Sequence, residues 1–402
     1  MTSLDAVPTL VLIAAIAVVS PLIAELTRRF GIPEVVIQIL LGMAIGPYAL
    51  KLAHPGDVVD ALSDLGLGFL MFLAGSELDL HRVRGLPLRL GLIGWGISLV
   101  LALGAAFTLV SVGLGLDTVV IGLALTTTAI GTLIPMIRDA GVLDTKFGSF
   151  MLAAGSVGEF IPIVAVALLL TEKDPAVTVA LLAAFVAISV VAALLATRAH
   201  PPKVVDLLSR HLNSATQLPV RVAVLLVLLL TYLALELGLD VLLGAFTAGI
   251  VVRLFIVGKD SEIVRGKLEA IGFGFLIPIF FIVSGVDFDI HAFVEKPSTL
   301  LRIPLFIALF LVVRGAPALL LYRKVLSASE RIAFALLSAT GLPLIVVITS
   351  IGVAEQKMRP DNAAALVGAG MLSVVLLPML ALRRLRSVSP DQGSGPAMRA
   401  PG

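Results

Sequence analysis

About thirteen apolar stretches, each near the roughly 20 residues a helix needs to cross a bilayer, follow one another from residue 7 to residue 382. A hydrocarbon core offers no water to backbone N–H and C=O groups, so unbroken apolar runs of this length admit only helices. They fall at 7–27, 33–50, 58–78, 87–112, 117–137, 147–171, 176–197, 218–236, 239–256, 266–286, 300–322, 330–353 and 361–382. Apolar residues make up 59% and charged residues 14%, against about half and a quarter in soluble domains. The chain is therefore expected to be an all-α polytopic membrane protein. Its opening, MTSLDAVPTLVLIAAIAVVS, lacks a basic n-region and a small-residue cleavage site, and is expected to remain as the first helix.

The loops set the orientation. Of 29 lysines and arginines, 22 fall on the loops after odd-numbered stretches and the tail, and only 6 on the loops after even-numbered ones. The positive-inside rule then places the N-terminus outside and the C-terminus in the cytoplasm, in a plasma (inner) membrane. Several function classes drop out. There is no cysteine for a disulfide, a thiolate metal site or a nucleophile. Net charge is only +2 with scattered basic residues, so no nucleic-acid partner is indicated. No HExxH, paired DDxxD or in-span Ser/His arrangement points to an enzyme, and no metal centre or cofactor is implied.

The two halves repeat. LMFLAGSELDLH (70–81) lies over FFIVSGVDFDIH (280–291), matching Gly75 with Gly285, Glu77 with Asp287, Asp79 with Asp289 and His81 with His291. GIPEVVIQILLG (31–42) lies over GLDVLLGAFTAG (238–249), and TTTAIG (126–131) over SATGLP (338–343). A single helix between two six-helix units inverts the second unit relative to the first, the design of carriers whose site lies at the repeat interface. The expected division is a first repeat over 1–171, a linker helix and cytoplasmic loop over 172–216, a second repeat over 217–384, and a disordered tail over 385–402. The third match also carries chemistry. Threonines before Gly131 and Pro135, and a Gly-Leu-Pro break after Thr340, are places where a membrane helix unwinds and offers carbonyls and helix ends to an ion. Thr126, Gly131, Thr340, Gly341 and Pro343 are expected at that crossing.

Two ionisable residues lie deep in apolar runs: Glu159 in MLAAGSVGEFIPIVAVALLL and Arg314 in IPLFIALFLVVRGAPALLLY. Such groups are costly in a membrane and mark ion or proton paths; a purely structural pair is the alternative. A carboxylate in a partly dehydrated site can hold either a proton or a cation, which is what an antiporter needs. Glu159 is assigned that role. A hard cation wants several oxygens, and Ser156, Thr127, Thr128 and broken-helix carbonyls are the candidates. Arg314 does not titrate usefully; it is expected to neutralise helix C-termini at the crossing or to pair with Glu159. Glu77, Asp79, Asp287 and Asp289 are expected to cap helices or line a funnel, and Trp95 to face lipid or the interface.

The motifs GIPEVVIQILLGMAIGP, FLMFLAGSELDL, LGAFTAGIVV and IPIFFIVSGVDFD, in this order and spacing, resemble those of the monovalent cation:proton antiporters, including bacterial sodium/proton exchangers and glutathione-gated potassium efflux systems. The resemblance covers about residues 7–384. It implies thirteen helices, a six-helix core moving against a dimerisation domain, a homodimer, and Na⁺ or K⁺ exchanged for H⁺. The family's essential acid in the sixth helix falls on Glu159, and its basic residue in the eleventh helix on Arg314. The polar residue before the acid, Asp, Asn or Gln in relatives, is Gly158 here. With no adjacent acid and an arginine in place of lysine, one-for-one electroneutral exchange is expected. The tail SVSPDQGSGPAMRAPG is short and polar, so regulation through a nucleotide-binding domain of the potassium-efflux kind is not expected. A sodium-coupled organic-anion carrier with Arg314 as the anion site, or a transport-dead sensor or partner, are the alternatives.

Overall fold

The computed structural model describes residues 7–27, 32–54, 56–77, 84–169, ten positions between 177 and 191, 217–237, 241–255, 261–288 and 298–386. All regular structure among them is helical. The helices are α1 (Val7–Leu26), α2 (Glu34–Ile45), α3 (Asp57–Glu77), α4 (Leu86–Ser111), α5 (Thr118–Leu125), α6 (Ile130–Asp139), α7 (Lys146–Leu169), α8 (Leu218–Glu236), α9 (Val241–Phe255), α10 (Ser261–Ile271), α11 (Ile277–Val286), α12 (Ser298–Phe310), α13 (Ala316–Leu321), α14 (Ala328–Ser338), α15 (Pro343–Ala354) and α16 (Pro360–Arg386). Single π-helical turns, Gly272–Leu276 and Leu311–Gly315, join α10 to α11 and α12 to α13. Each is followed two residues later by a proline, Pro278 or Pro317, which cannot donate to the turn before it.

Among the described residues, nine helices or joined helix pairs are long and apolar enough to cross a bilayer, and three more apolar stretches are shorter. These twelve coincide with twelve of the thirteen expected spans. Of the thirteenth, the described positions between 177 and 191 are helical, and Phe185 is buried against Ala234 and Leu243. The end of that span from 192, the expected cytoplasmic loop after it up to 216, the matches of Asp79 with Asp289 and His81 with His291, and all of the expected tail but residues 385 and 386 lie outside the described residues. So does the side chain of Glu77.

The helices sort into two bodies. In the first, α9 lies along α3, α11 along α2, and α8 and α1 flank them. In the second, α4 packs on α7 and α5, and α16 packs on α12, α14 and α15. Each half of the chain supplies three spans to each body.

The sequence repeat reappears as paired contacts in the first body. A Cβ on Gly42 (α2) would stand 2.1 Å from the carbonyl oxygen of Ile282 (α11), and one on Gly249 (α9) 2.0 Å from that of Phe72 (α3). The reverse approaches match as well: Gly285 on the Ile39 carbonyl at 2.2 Å and Gly75 on the Phe246 carbonyl at 2.1 Å. A two-fold relation between halves produces such reciprocal pairs. The helices touch backbone to backbone, as small residues allow in membranes. Gly75→Ala and Gly285→Ala should each cost about 1–3 kcal/mol by forcing these helices apart. Gly104→Ala, with nothing within 4 Å of the added carbon, is the control. Detergent melting curves would show it; unchanged midpoints for the first two would refute the close approach.

Candidate ion site at the crossing of two broken helices

The expected spans 117–137 and 330–353 are each interrupted near their middle. The α5 helix starts at Asp117, whose carboxylate accepts from the N–H groups of Val119 (2.7 Å) and Val120 (3.0 Å). It ends where the threonines turn back on it. The Thr126 hydroxyl donates to the Leu123 carbonyl (2.8 Å) and the Thr127 hydroxyl to that of Ala124 (3.0 Å). These bonds serve carbonyls that the next helical turn would have taken. Residues 126–129 are non-helical, and α6 begins at Ile130. On the other strand of the crossing, Pro343 has no N–H to give the Ala339 carbonyl, so residues 339–342 leave the helix. Gly131 and Pro343, expected within the breaks, instead lie in the first turns of α6 and α15. For proline this is the favoured place, since the N–H it lacks has no partner in a first turn.

The two breaks touch. The Ala129 N–H donates to the Thr340 carbonyl (2.8 Å), and the Thr128 hydroxyl donates to the Ser338 carbonyl (2.6 Å). Gly341 permits this, because a Cβ there would stand 2.8 Å from the Thr127 hydroxyl oxygen. The α7 helix joins the crossing by its backbone. Pro162 cannot donate to the Gly158 carbonyl four residues earlier, and that freed carbonyl accepts from the Thr128 N–H (3.0 Å).

Arg314 arrives from the π-helical turn and is 5% exposed. Its Nε and Nη2 donate to the Thr128 hydroxyl oxygen at 3.0 and 2.8 Å. Further bonds of 3.4 Å run to the Ser338 carbonyl, the Ser98 hydroxyl and the Ala154 carbonyl. The cation thus rests on the C-terminal carbonyl of α14, where a helix end is negative. Gly158 makes the space for it: a Cβ there would stand 2.5 Å from Nη2.

Glu159 is the next residue of α7 and is 5% exposed. Its other neighbour, Phe160, stacks on Phe246 of α9 at 5.0 Å between ring centroids. Glu159 is therefore the residue of α7 between the one bonded to the crossing and the one packed on the first body. Thr127 and Thr128 are buried at the crossing, whereas Ser156 is only half-buried, one turn before Glu159. Ser98 and Ser338 join the guanidinium without having been singled out in the sequence, where a serine in an apolar helix is an ordinary sight. Trp95, one turn before Ser98, is buried instead of facing lipid.

A cavity of about 800 Å³ opens between the bodies at the end of the molecule where α11 and α15 finish. Asp64, Ser284 and Asp287 line its first-body wall, and Thr349, Ser350 and Ala363 its second-body wall. At the same end, Arg302 of α12 bonds Asp361 (3.2 Å) and Asn362, and Asn362 also donates to the Leu114 carbonyl. This network ties α12, α16 and the α4–α5 connection into one rigid end. Its residues are far apart in sequence and carry no motif.

Two crossed, interrupted helices in a two-fold helical membrane fold, with a buried carboxylate at the seam, define an inverted-repeat carrier. Residues 14–382 match the family model described as sodium/hydrogen exchanger, transmembrane, and the chain belongs to that family. It is 27% identical over 391 residues to the putative Na⁺/H⁺ antiporter YjbQ of Bacillus subtilis, covering 93% of this chain and 62% of that one. It is 27% identical over 300 residues to a Na⁺/H⁺ antiporter of Enterococcus hirae, covering 71% and 74%. To the glutathione-regulated potassium-efflux system protein KefC of Escherichia coli it is 26% identical over 382 residues, covering 92% and 60%. The chain thus spans less than two thirds of the Bacillus and Escherichia relatives. The sodium proton antiporter MjNhaP1 from Methanocaldococcus jannaschii shares the fold, with a TM-score of 0.64 at 18% identity over 93% of this chain and 97% of that one.

Proposed function

We propose that the chain exchanges Na⁺ or K⁺ for protons by alternating access across a plasma membrane, with Glu159 as the group that holds either ion. The observation that carries this is the position of Glu159: a buried carboxylate on the helix whose Gly158 carbonyl is bonded to the crossing, beside the contact between the bodies. A dehydrated carboxylate makes cation and proton binding mutually exclusive. Thr127, Ser156 and the Thr340 region would complete the oxygen ligands; the Thr128 hydroxyl, expected among them, already gives its proton to the Ser338 carbonyl and its lone pairs to Arg314. Relatives named as sodium/proton antiporters and as a potassium efflux system favour this class of ion. The homodimer, the outward N-terminus and the cytoplasmic C-terminus belong to the same proposal. Arg314 is a poor organic-anion site, because all three of its nitrogens already donate to protein oxygens.

The test is proton release from acid-loaded everted vesicles on adding Na⁺ or K⁺, against organic anions. Silence toward both cations would favour the sensor or partner alternative. One titratable carboxylate with a permanently charged arginine gives one proton per cation, so exchange is expected to be electroneutral. In proteoliposomes the rate should ignore an imposed potential, although one transferred charge would feel about 2.3 kcal/mol per 100 mV. Acceleration in one direction at a fixed pH gradient would require a second proton site.

A further inference from the structure

The cavity between the bodies carries acids that the exchange reaction does not use. Asp57, Asp60 and Asp64 follow at three- and four-residue steps, so they share a face of α3. Asp64 lines the cavity with Asp287, the residue just past α11. Ser350, Ala354, Ala363 and Val367 of α15 and α16 face them. Among the described residues, Asp60, Asp64 and Asp287 form no ion pair.

The charged groups around Asp287 are few. The α3 helix brings its three aspartates, the segment after α2 brings Tyr48, Lys51 and His54, α12 brings Arg302, and the α15–α16 connection brings Glu355, Lys357, Arg359 and Asp361. Arg359 is committed to Asp361 at 3.1 Å. The charges of α1 and α10 lie at the opposite end of the molecule. Burial, and then the Asp60 charge, push the Asp287 carboxyl up to about 6 while the cavity is open.

We propose that Asp287, assisted by Asp64, makes closure of this cavity proton-dependent: α15 and α16 can pack onto α3 and α11 only once these carboxylates are neutralised. This regulation rests on the alternating-access reading above and adds to it a step on the cavity side of the membrane. Closing would strip the remaining water from an unpaired carboxylate, which is unfavourable unless the group takes up a proton. The closed state therefore holds the Asp287 proton more tightly than the open one. Both states are ionised above the closed-state pKa, and both are protonated below the open-state value of about 6. Acidification thus favours closure across the interval between the two, and the effect levels off near pH 6.

The chain has no cysteine, so Ser350→Cys, or Ala363→Cys as a second reporter, reads the cavity directly. The host is the Glu159→Gln protein in proteoliposomes, whose residue 159 cannot bind a proton. Labelling by a membrane-impermeant maleimide on the cavity side is measured from pH 8 to pH 5 and divided by that of an exposed Ser111→Cys reference. It should fall on acidification, by up to about tenfold for each unit by which closure raises the carboxyl pKa. Asp287→Asn should give the low, acid-like value at every pH, and Asp64→Asn a smaller change of the same sign. A profile unchanged by Asp287→Asn overturns the proposal. So does a profile that is flat in the Glu159→Gln host but falls where Glu159 is intact, which assigns the response to the carrier carboxylate and leaves the exchange reading standing. Constant labelling in both hosts, with and without Na⁺ or K⁺, removes alternating access itself.

Discussion

Glu159→Gln is expected to reduce cation-dependent proton release to the level of empty vesicles while the protein still folds and inserts. Glutamine has nearly the size of glutamate and keeps a carbonyl oxygen and hydrogen-bonding capacity. What it loses is the ability to alternate between a proton and a cation. The fold has little reason to suffer, because the tie between α7 and the crossing is made by the backbone, from the Thr128 N–H to the Gly158 carbonyl. Glutamine can still donate and accept hydrogen bonds at this buried position. Detergent melting should therefore stay near the wild type. Glu159→Asp should retain exchange with a changed apparent cation affinity, since the charge stays and the reach shortens. Wild-type exchange by Glu159→Gln would put the carrier group elsewhere, with Asp64 and Asp287 the next acids to test.

How much of this was legible beforehand depends on the kind of interaction. Span positions were readable because backbone satisfaction in a membrane leaves only helices, and an apolar run marks each one. The breaks were readable too, since proline and clustered threonines act locally; their edges were not. Gly131 and Pro343 fit as well into a first helical turn as into a break, and only the full hydrogen-bond pattern separates the two. The glycine matches showed that the halves repeat, but not that Gly42 meets α11 or that Gly249 meets α3, because a contact partner more than 170 residues away leaves no local trace. Ser98, Ser338 and the Ala154 carbonyl reach Arg314 from three helices for the same reason. The two bodies were implied by family resemblance, and the acidic cavity between them came only from the fold.

Gly158 shows what a residue can do by having no side chain, and it sets up the second large effect. Arg314→Ala should strongly destabilise the protein, because the Thr128 hydroxyl, the Ser338 and Ala154 carbonyls and Ser98 all lose a charged donor deep in the core. Leaving a buried acceptor without its donor costs about 1–3 kcal/mol. Arg314→Lys should be milder, since it keeps the charge on the α14 carboxyl end but not the fork that reaches several acceptors at once. Gly158→Ala attacks the same arrangement from the other side, as its methyl would stand 2.5 Å from Nη2 and 2.9 Å from the Thr128 hydroxyl oxygen. The guanidinium must then move, and its bonds to Thr128 weaken. Once Arg314 is already alanine, the nearest obstacle is gone and only the Thr128 side chain, at 2.9 Å, still has to give way. The two substitutions should therefore be non-additive, with Gly158→Ala more harmful in the wild-type background than beside Arg314→Ala. Contacting residues give coupling of about 0.5–3 kcal/mol in such cycles. Strict additivity of the melting shifts, measured in detergent for the four proteins, would mean that Gly158 does not make room for the arginine. A polar side chain at 158, as the resemblance implies for relatives, would then require no displacement of Arg314.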